Sequence, residues 1–315
     1  MQLHSSSNFK LRSTAIALFL SVLLTTLACA PRTATPKSIG SADTREVVDE
    51  AGRKVKIPVK VERIVSLAPN LTEIVYAIGA GDRLVGDTTY CDYPQEAKTV
   101  AKVGDTLQPS IERILALRPQ LVLVSTASQL DAFIEQLDEH DIAVYVTDPH
   151  DLEGVFRSII SVGDLLNEPV AASDLVKQLR ARSETVERAV AGLTPVSVFF
   201  QLSGQPLYTA GGSSFVTNLI ERAGGRSVTS DVKEAWPRLS DERALASRPE
   251  AVIMLSGDSM GASANTKVAP ALENSPAVKN GRVYLIDGDL LTRPGPRLID
   301  GLEQMAHELH PKAFK

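Results

Sequence analysis

From Arg63 onward, hydrophobic residues fall into short β-rich runs separated by segments in which they recur at helical spacing. The runs are "RIVSL" (63–67), "LVLVS" (121–125) and "IAVYVT" (142–147), and the helical segments lie around Leu71 to Ile78, Ile111 to Leu117 and Leu130 to Leu137. Strands alternating with helices are the pattern of βαβ units, which predicts a mainly parallel sheet. The second half repeats it: "VSVFFQL" (196–202), "AVIML" (251–255) and "RVYLI" (282–286) as strands, with helices around Phe215 to Arg222, Asp241 to Ser247 and Pro296 to Leu309. In the last of these, Leu298, Leu302, Met305 and Leu309 share one face, which should pack on the second sheet.

Between the halves lies "NEPVAASDLVKQLRARSETVERAVAGL" (167–193), with Asn167 as a candidate N-cap, Pro169 in the first turn, and Gly192 and Pro195 as a stop. One long helix is predicted from Pro169 to Ala191, about 34 Å at the ~1.5 Å rise per residue. A helical strut of that length predicts lobes that tilt slightly, where a loop hinge would let them swing widely. Ahead of the alternating region, "REVVDEAGRKVKIP" (45–58) predicts a hairpin around Ala51 and Gly52, ended by Pro58. The fold class expected is α/β: two Rossmann-like lobes, 45–167 and 193–315, joined by one helix over 168–192.

The first 29 residues differ in kind. Lys10 and Arg12 precede an apolar stretch from Ala15 to Ala28, too short for a comfortable permanent span, and read as an export signal. Residues 30–44, rich in Pro, Thr, Ser and Ala, read as a flexible tether. With 23% charged residues, a formal charge of -5 and a pI near 5.6, the chain is a poor candidate for a nucleic-acid surface, which needs a basic excess to displace counterions. It holds two cysteines, Cys29 and Cys91.

One phrase occurs twice. "SIERILALRPQLVLV" (110–124) and "SDERALASRPEAVIM" (240–254) agree at eight of fifteen places, 130 positions apart. Much of it is helix punctuation: Ser110 and Ser240 suit an N-cap, Glu112 and Glu242 the first turn, Arg118 and Arg248 the last turn, and Pro119 and Pro249 the stop before a buried strand. The phrase stands once per lobe in the same context, so Glu112 and Glu242 should occupy equivalent places on a pseudo-symmetric body able to dock on a two-fold partner.

The segments "RIVSLAPNLTEIVYAIGAGDRLVGDTTYCDYPQEA", "SIERILALRPQLVLVS", "EAWPRLSDERALASRPEAVIM" and "PGPRLIDGLEQMAHEL" together resemble the substrate-binding proteins of cobalamin, siderophore and haem ABC importers, the cobalamin branch above all. The resemblance covers Arg45 to Leu309. It implies the helical-backbone periplasmic binding protein fold, a ligand in the inter-lobe cleft, no catalysis and no resident cofactor. It implies as cargo a corrinoid such as cobalamin or cobinamide, with a ferric siderophore or haem as the alternative. Partners implied are an ABC permease dimer with its ATPase subunits, approached by a monomer whose Glu112 and Glu242 meet permease arginines. By the same resemblance Tyr90, Tyr208, Trp236 and Arg293 match cleft positions that contact ligand, whereas Arg297 reads equally well as a surface charge at a helix start. Two cleft positions that are tryptophan in the cobalamin branch fall on Thr106 and Ser125, and Cys91 replaces a serine. "TTLACAP" (25–31) resembles a lipobox with Cys29 as the acylated residue, despite Thr26 where leucine is usual, which would hold the protein in the periplasm or on the outer face of the cytoplasmic membrane.

Two other classes fit less well. A metal-ion receptor needs converging ligands, and His140, His150, His307 and His310 show no paired spacing and read as surface residues. A secreted α/β enzyme is not supported by "GAGDRL" (79–84), which lacks the third glycine of a dinucleotide fingerprint, nor by "GGSSF" (211–215), which lacks the nucleophile elbow.

Overall fold

The computed structural model describes residues 43–126, 131–140, 142–257 and 267–314. The chain opens with an antiparallel hairpin, β1 (Thr44–Val48) and β2 (Lys54–Pro58), turning through Gly52 at φ +81°. There follow β3 (Ile64–Ser66), α1 (Pro69–Ala77), β4 (Leu84–Asp87), α2 (Ile111–Leu117), β5 (Leu121–Ser125), α3 (Asp131–Asp138), β6 (Ala143–Thr147) and α4 (Leu152–Leu165). After the long helix α5 (Pro169–Val190) come β7 (Val196–Gln201), the small ladder β8 (Ser203–Gly204) and β9 (Leu207–Tyr208), α6 (Phe215–Arg222), β10 (Gly225–Ser227) and α7 (Asp241–Ser247). The chain closes with β11 (Ala251–Ser256), α8 (Pro276–Lys279), β12 (Val283–Asp287), α9 (Gly288–Thr292) and α10 (Leu298–Leu309).

Both main sheets are parallel throughout, in the orders β4-β3-β5-β6 and β10-β7-β11-β12. Counted within each main sheet, both are the second, first, third and fourth strands in that order. The repeated phrase thus marks one position of a repeated topology, the helix that enters the third strand. Its parts do the same work twice. Ser110 and Ser240 accept the backbone N–H of Arg113 and Arg243, each at 3.3 Å. Ile114 and Ala244, also 130 apart, are the buried residues that fix each helix to its sheet. Gln120 and Glu250 then reach back to the start of the first sheet strand: Gln120 Oε1 accepts from the N–H of Glu62 and Arg63, just ahead of β3, at 2.7 and 3.1 Å, and Glu250 Oε2 accepts from the N–H and Oγ of Ser197 in β7, both at 2.9 Å. One expectation is corrected: Arg118 and Arg248 lie beyond the last turn, at the C-caps, with left-handed φ of 46° and 41°. An L-residue there costs roughly 1–2 kcal/mol, accepted in both lobes to turn the chain sharply into the proline.

Strand alternation sorts side chains between two kinds of core. Leu121 and Leu123 of β5, and Ala251, Ile253 and Leu255 of β11, face inward into one continuous apolar cluster. Val122 and Val124, and Val252 and Met254, face outward into separate clusters under α2 and α7. The inner cluster runs from Ile57 through Ala172, Val176, Leu179, Val186 and Val190 of α5 to Leu309, so the long helix is the shared core layer of both lobes as well as their connection. It packs on α4 on one side and α10 on the other. The amphipathic α4, an element beyond those expected, supplies Val155, Phe156, Ile159 and Val162 to that layer. Leu298, Leu302, Met305 and Leu309 of α10 are buried together as their spacing predicted, although α10 starts at Leu298 rather than Pro296.

The cap of α5 is Glu168 rather than Asn167. Asn167 instead takes φ 59° and its amide donates to the Val59 carbonyl at 2.9 Å, tying the end of β2 to the entrance of the helix. Gly163 of α4 is needed for a close approach: a Cβ built there would lie 2.3 Å from the Ala172 Cβ of α5. Alanine improves an exposed helix position by about 1 kcal/mol over glycine, whereas overpacking a filled interface costs typically 1–3 kcal/mol. Gly163→Ala should therefore destabilise the protein despite its better helix propensity, seen as a lower urea midpoint with unchanged slope.

Candidate ligand cleft and docking faces

The strands of each lobe end in polar residues: Ser66, Asp87, Ser125 and Thr147 in the first sheet, Gln201, Ser227, Ser256 and Asp287 in the second. In open parallel sheets ligands bind beyond the carboxyl ends of the strands, and the loop after β4, which carries Tyr90 and Tyr93, leaves from such an end. Its underside is a buried polar chain. Thr72 Oγ1 donates to Ser66 Oγ at 2.9 Å and lies 3.1 Å from Cys91 Sγ, while Thr88 Oγ1 lies 3.2 Å from the same sulfur. Lys102 Nζ donates to the Cys91 and Ala97 carbonyls and to Asp87 Oδ1, at 2.9, 3.0 and 2.8 Å. Cys91 is therefore a packing residue of the loop, and burial pushes its thiol pKa up. Asp87 is fully buried, its Oδ2 has no hydrogen-bond partner, and burial lifts its pKa from 3.8 to about 7 against the opposing pull of Lys102.

Across from this loop stands the segment between α9 and α10. Arg293 is 5% exposed and meets three carboxylates: Nη1 lies 2.7 Å from Asp92 and 3.4 Å from Glu73, and Nη2 lies 2.8 Å from Asp289. Arg297 grips Glu73 with two bonds, Nε to Oε2 at 2.9 Å and Nη2 to Oε1 at 2.6 Å, and its guanidinium lies 4.2 Å from the centre of the Tyr93 ring. Arg297 does cap α10, but it is an inter-lobe ion-pair residue and not the surface charge that its position suggested. Glu73, only 2% exposed, sits on α1 among residues buried from Pro69 to Val75. Burial raises its pKa while the two guanidinia pull the other way. For Asp92 the balance reverses: partial burial works against its charge, but the bond and charge of Arg293 hold it below the usual carboxylate range. The seam is tightened by Asn70, whose amide donates to the Pro294 carbonyl at 3.3 Å.

The structure brings the Tyr90 loop to Arg293 through Asp92. In the second lobe Tyr208 and Trp236 lie on adjoining segments: Tyr208 bridges Arg238, and Thr209 N–H donates to the Pro237 carbonyl at 3.2 Å. The Trp236 ring is edge-on to Phe215 at 5.7 Å and tilted to Phe200 at 6.4 Å, so one part is anchored in the core and the rest is half-exposed. Thr106 and Ser125 are both buried. Sequence reasoning missed Glu73, Asp92 and Asp289. The readable signal for the first was a carboxylate inside the apolar run "LTEIVYAI", and for the last the i, i+4 series Asp289, Arg293, Arg297. Of the histidines, His310 is half-buried, its Nε2 donating to the Gly224 carbonyl at 2.9 Å, and the His307 ring lies 4.2 Å from that of Phe314.

Glu112 and Glu242 are exposed at the second position of equivalent helices on the outer faces of the two sheets. Hydrogen bonds from its own backbone N–H and from Ser240 lower the pKa of the Glu242 carboxyl. It borders a groove of about 920 Å³ whose walls include Gln205, Pro206, Arg238 and Pro270. Cys29 lies outside the described residues.

Two parallel-sheet lobes on a shared helix, with a polar seam at their strand ends, define a two-lobed binding protein. The chain belongs to the periplasmic binding protein family, whose model matches residues 64–290. It is the substrate-binding component of an ABC importer and works outside the cytoplasm. An ABC transporter substrate-binding lipoprotein of Bacillus subtilis, YvrC, is 34% identical over 275 residues, 85% of this chain and 86% of the relative. A vitamin B12-binding protein of Vibrio vulnificus is 29% identical over 78% of this chain and 89% of its own length. Among solved structures, the vitamin B12 binding protein BtuF of Vibrio cholerae superposes with a TM-score of 0.72 at 28% identity, covering 82% of this chain and all of that one. The haem-binding protein RhuT of Roseiflexus gives 0.70 at 27%, covering 80% and 99%.

Breaking one partner of a buried ion pair typically costs 3–5 kcal/mol, whereas replacing both by apolar residues is often neutral. Glu73→Gln should therefore lower stability by about 3 kcal/mol, and Glu73→Met with Arg297→Met should recover much of the loss in urea titrations. For Asp87 the sign runs the other way from an ordinary carboxylate. Between about pH 4 and 7 the folded protein keeps a proton that the unfolded chain has lost, so stability falls as pH rises through that window, by on the order of 2–4 kcal/mol. Asp87→Asn should flatten that part of a stability profile measured from pH 4 to 8.

Proposed function

We propose that the protein captures a corrinoid, cobalamin or cobinamide, between its lobes and delivers it to a dimeric permease driven by ATPase subunits. The observation that carries this reading is the similarity to vitamin B12-binding proteins along 78% of the chain, together with a Tyr90 loop that meets Arg293 across the seam. In this reading Tyr90, Tyr208 and Trp236 supply flat apolar faces to the macrocycle, and Arg293 meets a phosphate or amide of its periphery. A haem or ferric siderophore is the second reading, favoured by the likeness to RhuT and by the small buried Thr106 and Ser125, which narrow the aromatic wall a corrin would touch. Acylation of Cys29 would hold the protein, acting as a monomer, at the outer face of the membrane, in keeping with the lipoprotein relative. Calorimetric titration of the protein freed of its first 29 residues tests the cargo. One-to-one binding of cyanocobalamin supports the corrinoid, and heat only with haemin or a ferric siderophore transfers the protein to the iron branch.

Glu112 and Glu242 are the docking residues in this reading, one per lobe, where exposed carboxylates set register and encounter rate with basic partner surfaces. Glu112→Ala combined with Glu242→Ala should leave ligand affinity unchanged and abolish uptake in cells that lack the wild-type protein. Normal uptake by that double variant would remove docking from these residues.

A further inference from the structure

The ion cluster between the lobes holds three carboxylates, Glu73, Asp92 and Asp289, against two guanidinia, Arg293 and Arg297. The three acids are not equivalent. Glu73 is buried and bound twice by Arg297, so its departure would leave charges uncompensated in the interior. Asp289 lies one helical turn before Arg293 on the same segment and travels with it. Asp92 is 48% exposed, belongs to the opposite lobe, and stands on the aromatic loop beside Tyr90 and Tyr93. It can swing into solvent and be rehydrated, which the other two cannot do without dismantling the seam. The Nε of Arg293, although buried, has no hydrogen-bond partner, so this guanidinium keeps donor capacity beyond its three carboxylates.

We propose that Asp92 is an internal stand-in for an anionic group of the cargo, occupying Arg293 until a phosphate or carboxylate of the ligand displaces it. The proposal rests on the reading of Arg293 as a cleft residue and adds the residue that competes for it. The charge count supports an exchange. With all five groups ionised the cluster carries one net negative charge, so a second anion added to it is repelled, whereas substituting one anion for another leaves the net charge unchanged. Ligands without an anionic group gain nothing from the exchange, so Asp92 selects for cargo that carries one. Release of Asp92 also frees the loop that holds Tyr90, so the same step that satisfies Arg293 lets the aromatic wall adjust to the ligand.

The test uses the full chain and its Asp92→Asn and Asp92→Ala variants, the first keeping a hydrogen bond to Arg293 so that folding is preserved. Inorganic phosphate, with chloride at matched ionic strength as control, should raise the melting temperature of both variants by several degrees and that of the wild type hardly at all. In titrations, cyanocobalamin, which carries a phosphodiester, and haemin, which carries two carboxylates, should bind the variants at least fivefold tighter wherever they bind the wild type. Dicyanocobinamide, which lacks the phosphodiester, should bind all three proteins alike. Equal phosphate effects on wild type and variants, or weaker binding of the anionic chelates by the variants, overturns the proposal. Should no chelate bind even the wild type, the cargo reading fails, and the phosphate measurement still decides the role of Asp92.

Discussion

A carboxylate in the middle of an apolar helix governs how the two halves of this protein relate. Glu73 is surrounded on α1 by residues with almost no solvent contact, and among the described residues its ion-pair partners, Arg293 and Arg297, come from the far end of the chain. Burying an unpaired charge is among the costliest events in folding. The first lobe therefore reaches its stable form against the second, and the seam is a place where opposite charges of the two lobes must meet. Tyr93 over Arg297 and Asn70 on the Pro294 carbonyl extend the same seam with weaker contacts.

The apolar interior reinforces this dependence. α5 buries residues along its length in a cluster shared by both sheets, which ties the two lobes to one apolar layer. Two constraints act together, a continuous apolar layer along the helix and an ion cluster at the strand ends. Motions that open the cleft must strain one or break the other.

Much of the architecture was legible because parallel sheets covered on both faces leave strong local marks: unbroken apolar runs, helices of fixed period and proline stops. The repeated phrase showed more than punctuation, since Gln120 and Glu250 proved to anchor the first strand of each main sheet. The cap of α5 was misread because Asn167 and Glu168 are adjacent polar residues, and a tertiary bond to Val59 decided which took the left-handed place. The site was harder to read. Aromatic residues and Arg293 stood out as candidates, but the partners of Arg293 in the opposite lobe lie 201 and 220 positions away in sequence, and no local period announces a pairing of that range. Arg297 was left open for the same reason: a charge at a helix start looks solvated until the opposite lobe is in place.

The shared layer also bears on how such a protein can change over evolutionary time. When two halves possess separate interiors, either can be exchanged like a cassette, and new specificities arise by recombining halves from different parents. Here Leu179, Val186 and Val190 of α5 are packed into the same cluster as Ile159 of the first half and Leu302 of the second. A foreign half would meet a mismatched surface along the whole spine. Diversification is thereby channelled to the loops at the strand ends, which lie outside that shared cluster.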